Sequence, residues 1–296
     1  MNDNHRVALL GCGLMGQPMG LSLVRAGFPV VAYNRTPARA SRLAEEGVQV
    51  HADPAAAVAE ADTLVLMLSD AQAIAQVLDA LPDGALRGRC VIQMATILPA
   101  ESRTLAARVR EAGARYLEAP VLGSIPEAGS GRLLIMAGAD DPADFAAARP
   151  VLAALGENPR HVGGVGQGAA LKLAFNQLIA SLTAAFSLSL GLVRREGVEV
   201  DTFMDILRDS ALYAPTFDKK LDKMLSGDFG VANFPVKHLL KDVRLAERAM
   251  EDAHLVGPWL PLLAQLLDQA RERGLEDADY SAIYTAIVPD TPPDHP

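Results

Sequence analysis

Three glycines near the start of the chain have the spacing of a phosphate-binding turn. They form the pattern G-x-G-x-x-G, which follows the apolar run 7–10 and precedes a helical pattern. In that context the first glycine permits a tight turn, the second lets backbone N–H groups approach a pyrophosphate, and the third allows close packing of helix on strand. The helix N-terminus favours negative charge. The alternative is a tight turn that binds no ligand. The predicted cofactor contacts are Gly11, Gly13, Leu14, Met15 and Gly16.

The second apolar run, 30–33, ends in residues that suit a phosphate. Asn34, Arg35 and Thr36 follow it, at the place where an NAD site usually has an acidic residue for the ribose hydroxyls. No acid stands here, and an arginine pairs well with a phosphate group. The sequence therefore favours NADP, with its 2′-phosphate, while NAD is possible; the alternative is a solvated surface arginine.

A lysine and an asparagine interrupt the long apolar run 169–193. Lys172 is its single charged residue, and Asn176 follows four positions later. On a helix the two share one face. Burying either side chain without hydrogen-bond partners costs free energy. Two interpretations stay open: a general acid with an amide that orients the substrate, or a lysine that reaches solvent beside an asparagine bonded to neighbouring backbone.

Alternating strand and helix patterns must position these residues in the first half of the chain. Such alternation predicts an α/β domain with a doubly wound, mostly parallel sheet covered by helices on both faces. An acid before a proline, at Asp53 and at Asp141, marks two further helix starts. The predicted strands are 7–10, 30–33, 63–68, 91–94, 115–118 and 133–137, and the predicted helices are 15–26, 38–46, 71–81 and 99–112.

The second half is predicted to be all-helical. A helix that is apolar nearly all round is buried, so we expect 169–193 at the centre of a second domain or at a subunit interface. Helical spacing with polar outer faces continues at 201–212, 237–253 and 258–273. The predicted organisation is a dinucleotide-binding domain at 1–163, a helical substrate and dimerisation domain at 164–289 and a proline-rich disordered tail at 290–296.

Composition narrows the class of protein. The net charge of −9 disfavours general nucleic-acid binding, which needs a basic footprint. No uninterrupted apolar run approaches the roughly 18 residues of a membrane span, and the first residues do not resemble a signal peptide. Cys12 and Cys90 form no metal-binding cluster, and Cys12 is interpreted as a small residue that fills the glycine turn. We therefore expect a cytoplasmic protein without a metal, a nucleic-acid partner or a membrane partner.

Four separated motifs resemble one known family. They are the glycine turn with its continuation to residue 19, the stretch 118–124 (Glu-Ala-Pro-Val-Leu-Gly-Ser), the stretch 164–176, and 241–243 (Lys-Asp-Val). Together they resemble the 3-hydroxyacid dehydrogenase family, whose members include 3-hydroxyisobutyrate dehydrogenase and the tartronate and glyoxylate/succinic semialdehyde reductases. The resemblance implies a Rossmann-type domain, a long interdomain helix, a helical second domain, an active site in the cleft between them, and a homodimer or homotetramer.

The resemblance also implies roles for particular residues. Lys172 would be the acid/base, Asn176 and the segment Gly123–Ser124 would contact the substrate, and Lys241 would lie near both nicotinamide and substrate. Thr96 and Leu68 would border the cofactor. Two residues depart from the family's motif, because Leu122 stands where a serine is usual and Ser124 where a glycine is usual. The hydroxyl is therefore displaced by two residues relative to the family's motif.

The expected function is NADP-dependent interconversion of a small, anionic 3-hydroxy acid and its semialdehyde. Residues 34–36 and 211–215 resemble the glyoxylate/succinic semialdehyde branch of the family somewhat more than the hydroxyisobutyrate branch. An imine reductase would share the fold, although the catalytic lysine is typically replaced in that group. A catalytically silent, NADP-binding regulatory module is the non-enzyme alternative.

Overall fold

The computed structural model describes residues 5–289 and divides the chain into two units, between Lys172 and Leu173. The tail 290–296, for which the sequence predicts disorder, lies outside the described residues. The predicted boundary at 163/164 precedes the first turn of a long helix, whereas the structural division falls inside that helix.

A nine-stranded sheet forms the centre of the first unit. The strand order is β3-β2-β1-β4-β5-β6-β8-β7, with β9 paired to β8. The strands β1 to β6 are all parallel, and β8 is antiparallel to β6 and β7. This is the order of a Rossmann-type domain, which confirms the predicted fold. The strands are β1 Val7–Leu10, β2 Val30–Tyr33, β3 Gln49–His51, β4 Thr63–Leu66, β5 Cys90–Gln93, β6 Arg115–Glu118, β7 Val121–Leu122, β8 Leu134–Gly138 and β9 Arg160–Gly163.

Helices cover both faces of this sheet. Successive side chains of a strand point to opposite faces, so Val7 and Leu9 enter one apolar cluster while Ala8 and Leu10 enter the other. All four residues are fully buried. The covering helices are α1 Gly16–Arg25, α2 Ser41–Glu45, α3 Pro54–Ala59, α4 Ala71–Asp79, α5 Pro99–Glu111, α6 Ile125–Gly129 and α7 Pro142–Leu155.

Local sequence signals account for most of these element ends. The Asp53 side chain accepts a hydrogen bond from Ala55 N–H, and Asp141 accepts one from Ala143 N–H, so both predicted caps are confirmed. The strands β3, β7 and β9 were not predicted, because they have two to four residues and are partly exposed. The predicted helix 38–46 is instead a 3₁₀ turn at Pro37–Ala40 followed by α2.

The regular elements of the second unit are helices, as predicted, and one isolated β-bridge joins Pro235 to Asp279. Its apolar core is built around Phe186, Met204, Leu240 and Leu267, all at most 3% exposed. The helices are α8 Gln167–Arg195, which begins in the first unit, α9 Val200–Asp209, α10 Pro215–Ser226, α11 Val236–Asp252, α12 Trp259–Ala270 and α13 Tyr284–Ile287.

Two elements of this unit differ from the predictions. The helix α10 is absent from the predicted elements, although Phe217, Leu221 and Met224 lie at helical spacing and pack into the core. Only Trp259–Ala270 of the predicted helix 258–273 is α-helical. The residues Arg271–Leu275 that follow form a π-helical turn. Gly274 follows in that turn with φ of 80°, a backbone conformation that favours glycine.

The helix α8 is buried on one side only. Ala180 and Leu190 are fully buried, whereas Leu188 is 64% and Leu192 is 61% exposed. By length and composition α8 is also able to cross a membrane, although 39% of its most apolar window is buried in the protein and core helices pass the same test. Lys172, Asn176 and Gln177 interrupt the apolar pattern of α8, and the expectation of no membrane partner stays a prediction.

Candidate active site

The glycine turn has the shape that a dinucleotide requires. Gly11 has φ of 106°, and a Cβ there would lie 2.2 Å from the carbonyl oxygen of Met67. A Cβ on Gly16 would lie 1.9 Å from the carbonyl oxygen of Gly11, whereas a Cβ on Gly13 would meet nothing within 4 Å. Packing thus requires glycine at positions 11 and 16, and Gly13 leaves the backbone of the turn accessible. This is the cradle that a pyrophosphate fits.

The residues between the glycines are held from the second strand. The N–H of Cys12 donates to Asn34 Oδ1 at 3.0 Å, and Asn34 Nδ2 donates to the carbonyl of Thr36 at 2.7 Å. Burial raises the pKa of the Cys12 thiol to about 12, so the thiol is protonated at neutral pH. Leu14, 47% exposed, and Met15 lead into α1. Cys12 and Asn34 therefore shape the turn, and its outer surface is left to a ligand.

Two exposed arginines follow β2. Arg35 is the second residue after the strand, and Arg39 lies in the 3₁₀ turn that follows. Within residues 5–289 neither guanidinium has an ion-pair partner. The sequence predicts a role for Arg35 only. Arg39 lies four residues later in the same exposed segment, and that spacing is the signal that could have found it. Both side chains are suited to an added phosphate group.

Parallel strands bring three predicted residues to one edge of the sheet. Gly11, Leu68 and Thr96 follow the carboxyl ends of β1, β4 and β5, which are neighbours in the sheet, whereas Gly123 follows the short strand β7. The Cδ2 atom of Leu68 lies 3.1 Å from the position that a Gly11 Cβ would take, so Leu68 adjoins the glycine turn. Ligands of such sheets bind outside the carboxyl ends of the strands.

The segment after β6 gives each of its unusual residues a structural role. Gly123 has φ of 134°, and a Cβ there would lie 2.9 Å from Cδ2 of Leu133. The hydroxyl and the backbone N–H of Ser124 both donate to Glu127 Oε2, at 2.6 and 2.8 Å. Ser124 thereby starts α6 with a capping box. Leu122 is half-buried in β7.

Carboxylate oxygens accept hydrogen bonds from backbone N–H groups at the amino end of α8, the helix that carries Lys172. Val165 N–H donates to Asp140 Oδ1 at 2.8 Å, and Gly166 N–H donates to Glu118 Oε1 at 2.8 Å. Helix starts attract such negative charge. Burial raises the pKa of Glu118, against hydrogen bonds that lower it. Lys172, one turn further on, is half-buried.

In the second unit Asn176 and Lys241 share one carboxylate. Asn176 is fully buried, and its Nδ2 donates to Asp242 Oδ2 at 2.7 Å. Lys241 Nζ lies 3.0 Å from Asp242 Oδ1. The Oδ1 atom of Asn176 is buried without a hydrogen-bond partner among the described residues. The amide is therefore fixed by a side chain, not by neighbouring backbone, and keeps one acceptor for a ligand.

A cationic groove adjoins Lys241. Its volume is about 290 Å³ and its rim is formed by positive side chains on α11 and on the turn after α12. Carboxylates offset much of this charge, because Asp277 pairs with Lys237, Asp242 with Lys241, and Asp268 with both Arg244 and Arg271. The residues that line it are Lys237, Leu240, Lys241, Arg244, Leu245, Arg248 and Arg271.

The sequence analysis missed two residues that organise these groups. Asp242 was quoted only as part of a motif, and Glu118 only as the start of another. Both are buried carboxylates, 4% and 1% exposed. An acid on the buried face of a helix, among Leu239 and Val243, or at the end of a buried strand is the signal that could have found them, because buried charges need partners.

Comparisons with known proteins agree with this arrangement. Residues 6–164 match the family profile described as the NAD-binding domain of 6-phosphogluconate dehydrogenase, and residues 166–287 match the profile described as the NAD-binding domain of NADP-dependent 3-hydroxyisobutyrate dehydrogenase. Glyoxylate/succinic semialdehyde reductase 1 of Arabidopsis thaliana is 34% identical, over 95% of this chain and 98% of the relative. The chain belongs to the 3-hydroxyacid dehydrogenase family.

Solved structures support the same assignment. A 3-hydroxyisobutyrate dehydrogenase of Mycobacterium tuberculosis, described with L-serine, has a TM-score of 0.84 and 26% identity, and the match covers 96% of this chain and 99% of that one. A reductive aminase of Aspergillus terreus, described with NADPH, has a TM-score of 0.65 and 26% identity, over 95% and 98% of the two chains. This member of the family is thus an oxidoreductase that uses a nicotinamide dinucleotide and a small-molecule substrate.

Proposed function

We propose that this chain is an NADP-dependent oxidoreductase that interconverts a small 3-hydroxy acid and its semialdehyde, with Lys172 as general acid and base. The observation that carries the proposal is the buried amide of Asn176. Asp242 fixes its Nδ2 at 2.7 Å, and its Oδ1 is left without a partner. A buried acceptor without a partner is costly unless a ligand uses it, and Asn176 follows Lys172 by one turn of α8.

The preference for NADP is supported by the end of β2. Arg35 and Arg39 are exposed there, and within residues 5–289 they have no carboxylate partner. A 2′-phosphate would pair with one or both guanidinium groups. An acid that would accept hydrogen bonds from the free ribose hydroxyls of NAD does not follow this strand.

Each charged group has one task in the reaction. The hydride is supplied by the bound nicotinamide in the reducing direction and returned to it in the oxidising direction. The ammonium of Lys172 donates a proton to the carbonyl oxygen as negative charge develops there; in oxidation the neutral amine accepts the hydroxyl proton. Lys241, which lines the groove, attracts the carboxylate of the substrate. Asn176 orients the reacting group through its free Oδ1.

The relatives support a small carboxylate with an aldehyde or hydroxyl group. One is named for glyoxylate and succinic semialdehyde, whose reduced forms are a 2-hydroxy and a 4-hydroxy acid. The structure from Mycobacterium tuberculosis is described with L-serine, which is a 3-hydroxy acid. We also propose a cytoplasmic location and a homodimer or homotetramer, in which the exposed leucines of α8 are covered by a second copy. A monomeric mass by light scattering at micromolar concentration would contradict the assembly.

The proposal is tested by initial rates of NADPH and NADH oxidation. The carbonyl substrates are succinic semialdehyde, glyoxylate, tartronate semialdehyde and methylmalonate semialdehyde, with Lys172→Ala as the test variant. Lys219→Ala, an exposed lysine of α10, is the control for lost charge. We expect a rate with NADPH that falls by about 10²- to 10⁴-fold in Lys172→Ala, the usual range for a general acid, and is unchanged in the control.

Two results would overturn parts of the proposal. If none of the aldehydes reacts while NADPH still binds, the substrate class is wrong. Cyclic imines and ketones with amines are then the next substrates, since the reductive aminase shares the fold. If no substrate of either class reacts, a regulatory NADP-binding role replaces the enzymatic one. A Lys172→Ala variant with an undiminished rate would remove Lys172 from the chemistry.

A further inference from the structure

Glu118 is a buried carboxylate that joins the sheet to the helix of Lys172. It is the last residue of β6 and is 1% exposed. Its Oε1 accepts hydrogen bonds from Gly166 N–H at 2.8 Å and from Ala169 N–H at 3.0 Å. Gly166 directly precedes α8, and Ala169 lies in its first turn. One oxygen therefore binds the start of this helix at two points.

The second oxygen of the carboxylate is held from α5. Ser102 Oγ donates to Glu118 Oε2, and the same hydroxyl lies 2.8 Å from Tyr116 Oη. Ser102 and Tyr116 are both fully buried. Both oxygens are thus fixed, and the carboxylate has no freedom to leave the helix start without breaking several buried hydrogen bonds.

Two glycines leave the space that this carboxylate occupies. A Cβ on Gly138 would lie 2.6 Å from Glu118 Oε1, and a Cβ on Gly168 would lie 3.0 Å from the same atom. The two glycines come from β8 and from α8, so strand and helix both approach the carboxylate closely. Such close packing leaves few alternative positions for the helix start.

The backbone of Glu118 is equally constrained. It pairs with Gln93 of β5 on one side and with Gly138 of β8 on the other. The next residues along the chain, 119–124, are the segment that resembles the family's substrate-binding motif. The same residue therefore connects that segment, through the sheet, to the first turn of α8.

We propose that Glu118 is a positioning residue for the reaction, which acts through the first turn of α8 to hold Lys172 in register with the segment 119–124. The inference rests on the proposed role of Lys172. Lys172 is three residues after Ala169, about 4.5 Å along the helix axis, so a shift of the first turn moves it directly. A displacement of about 1 Å in a catalytic group can cost about 10²-fold in rate.

The test distinguishes the contribution of the acceptor oxygens of Glu118 from the contribution of its side-chain size. Glu118→Gln keeps a carbonyl oxygen at the same reach, and Glu118→Met keeps the length but removes both acceptors. We expect kcat to fall about 30- to 100-fold in E118M, with KM for NADPH and for the aldehyde within threefold of the wild type. E118Q is expected to recover kcat to within fivefold. Amide hydrogen exchange at 166–169 rises in E118M but not in E118Q.

A double-variant cycle shows whether Glu118 acts through Lys172. If it does, Lys172→Ala combined with E118M is no slower than Lys172→Ala alone, because the positioned group is already absent. A purely structural role would make the two losses multiply, and that result overturns the inference. Asp141→Ala removes a carboxylate that caps α7 in the same unit; it is the control for destabilisation and leaves kcat unchanged.

Further outcomes are decisive as well. If E118M does not fold, Ser102→Ala replaces it, with an expected three- to tenfold loss of kcat that also vanishes in the Lys172→Ala background. A wild-type kcat in both E118M and Ser102→Ala overturns the inference. An active Lys172→Ala variant overturns the proposed function itself, so the two failures are distinguishable.

Discussion

The side chain of Asn176 donates a hydrogen bond of 2.7 Å to Asp242, a residue 66 positions away in the sequence. The same carboxylate lies 3.0 Å from Lys241 Nζ. One buried acid therefore fixes both an amide on α8 and an ammonium on α11. This relationship makes Asp242 the organising residue of the group, although the predicted site contained only its two partners.

Removal of this acid should affect both stability and activity. In Asp242→Ala the buried Nδ2 of Asn176 loses its partner, which costs about 1–3 kcal/mol of unfolding free energy. Asn176 and Lys241 also lose their orientation, so kcat/KM is expected to fall at least tenfold. Urea unfolding and initial rates measure the two effects. Asp252→Ala, an exposed acid of α11, should change neither, and an Asp242→Ala variant as active as this control would contradict the prediction.

Arg35 should determine the choice of cofactor. Hydrogen bonds to charged groups contribute about 1.5–3 kcal/mol, so Arg35→Ala is expected to raise KM for NADPH by about 10- to 100-fold and to leave KM for NADH unchanged. The matched control is Arg149→Ala, an exposed arginine of α7, which removes the same charge elsewhere. Equal effects on the two cofactors, or an equal effect in the control, would show that Arg35 does not bind the 2′-phosphate.

A buried ion pair stabilises the second unit. Lys220 Nζ donates to both oxygens of Asp279, at 2.9 and 2.8 Å, and lies 4.2 Å above the ring of Tyr280. Asp279 is fully buried. Lys220→Met leaves that charge without its partner, and the expected cost is about 3–5 kcal/mol of unfolding free energy.

Chemical denaturation measures that cost against a lysine on the same helix. Lys219→Met replaces an exposed side chain of α10 and should change the unfolding free energy by less than about 0.5 kcal/mol. A similar small change in Lys220→Met would mean that water reaches Asp279 in solution, contrary to its burial.

His238 should make stability depend on pH. Burial lowers the pKa of His238, and the neighbouring Lys241 lowers it further. The unfolded chain therefore binds a proton more readily between the lowered pKa and the ordinary value of 6.5, so stability falls as the pH falls below 6.5. His238→Gln should remove this part of the loss.

Thermal unfolding between pH 7.5 and 5.5 tests this prediction. The control is His254→Asn, because His254 is exposed and has φ of 56°, which asparagine tolerates. The wild type and the control are expected to lose more thermal stability on acidification than His238→Gln. Parallel pH profiles for all three proteins would show that the protonation of His238 is not linked to unfolding.

Local patterns were enough to predict the fold of the first unit. The spacing of Gly11, Gly13 and Gly16, the apolar runs before and after them, and the capping acids Asp53 and Asp141 all depend on residues a few positions apart. Local backbone preference determines such features directly. The same is true of α8, whose long apolar pattern gave its length to within two residues at each end.

The sequence by itself determined which residues are candidates for the site, because local motifs or the family resemblance pointed to Lys172, Asn176, Lys241 and Arg35. Only the tertiary structure decided what holds them. The carboxylate of Asp242 reaches Asn176 across 66 residues, and that of Glu118 reaches Ala169 across 51. Periodicity reports which face of an element is apolar, but not which distant element covers it. Buried polar contacts between distant segments are fixed only when the whole chain packs.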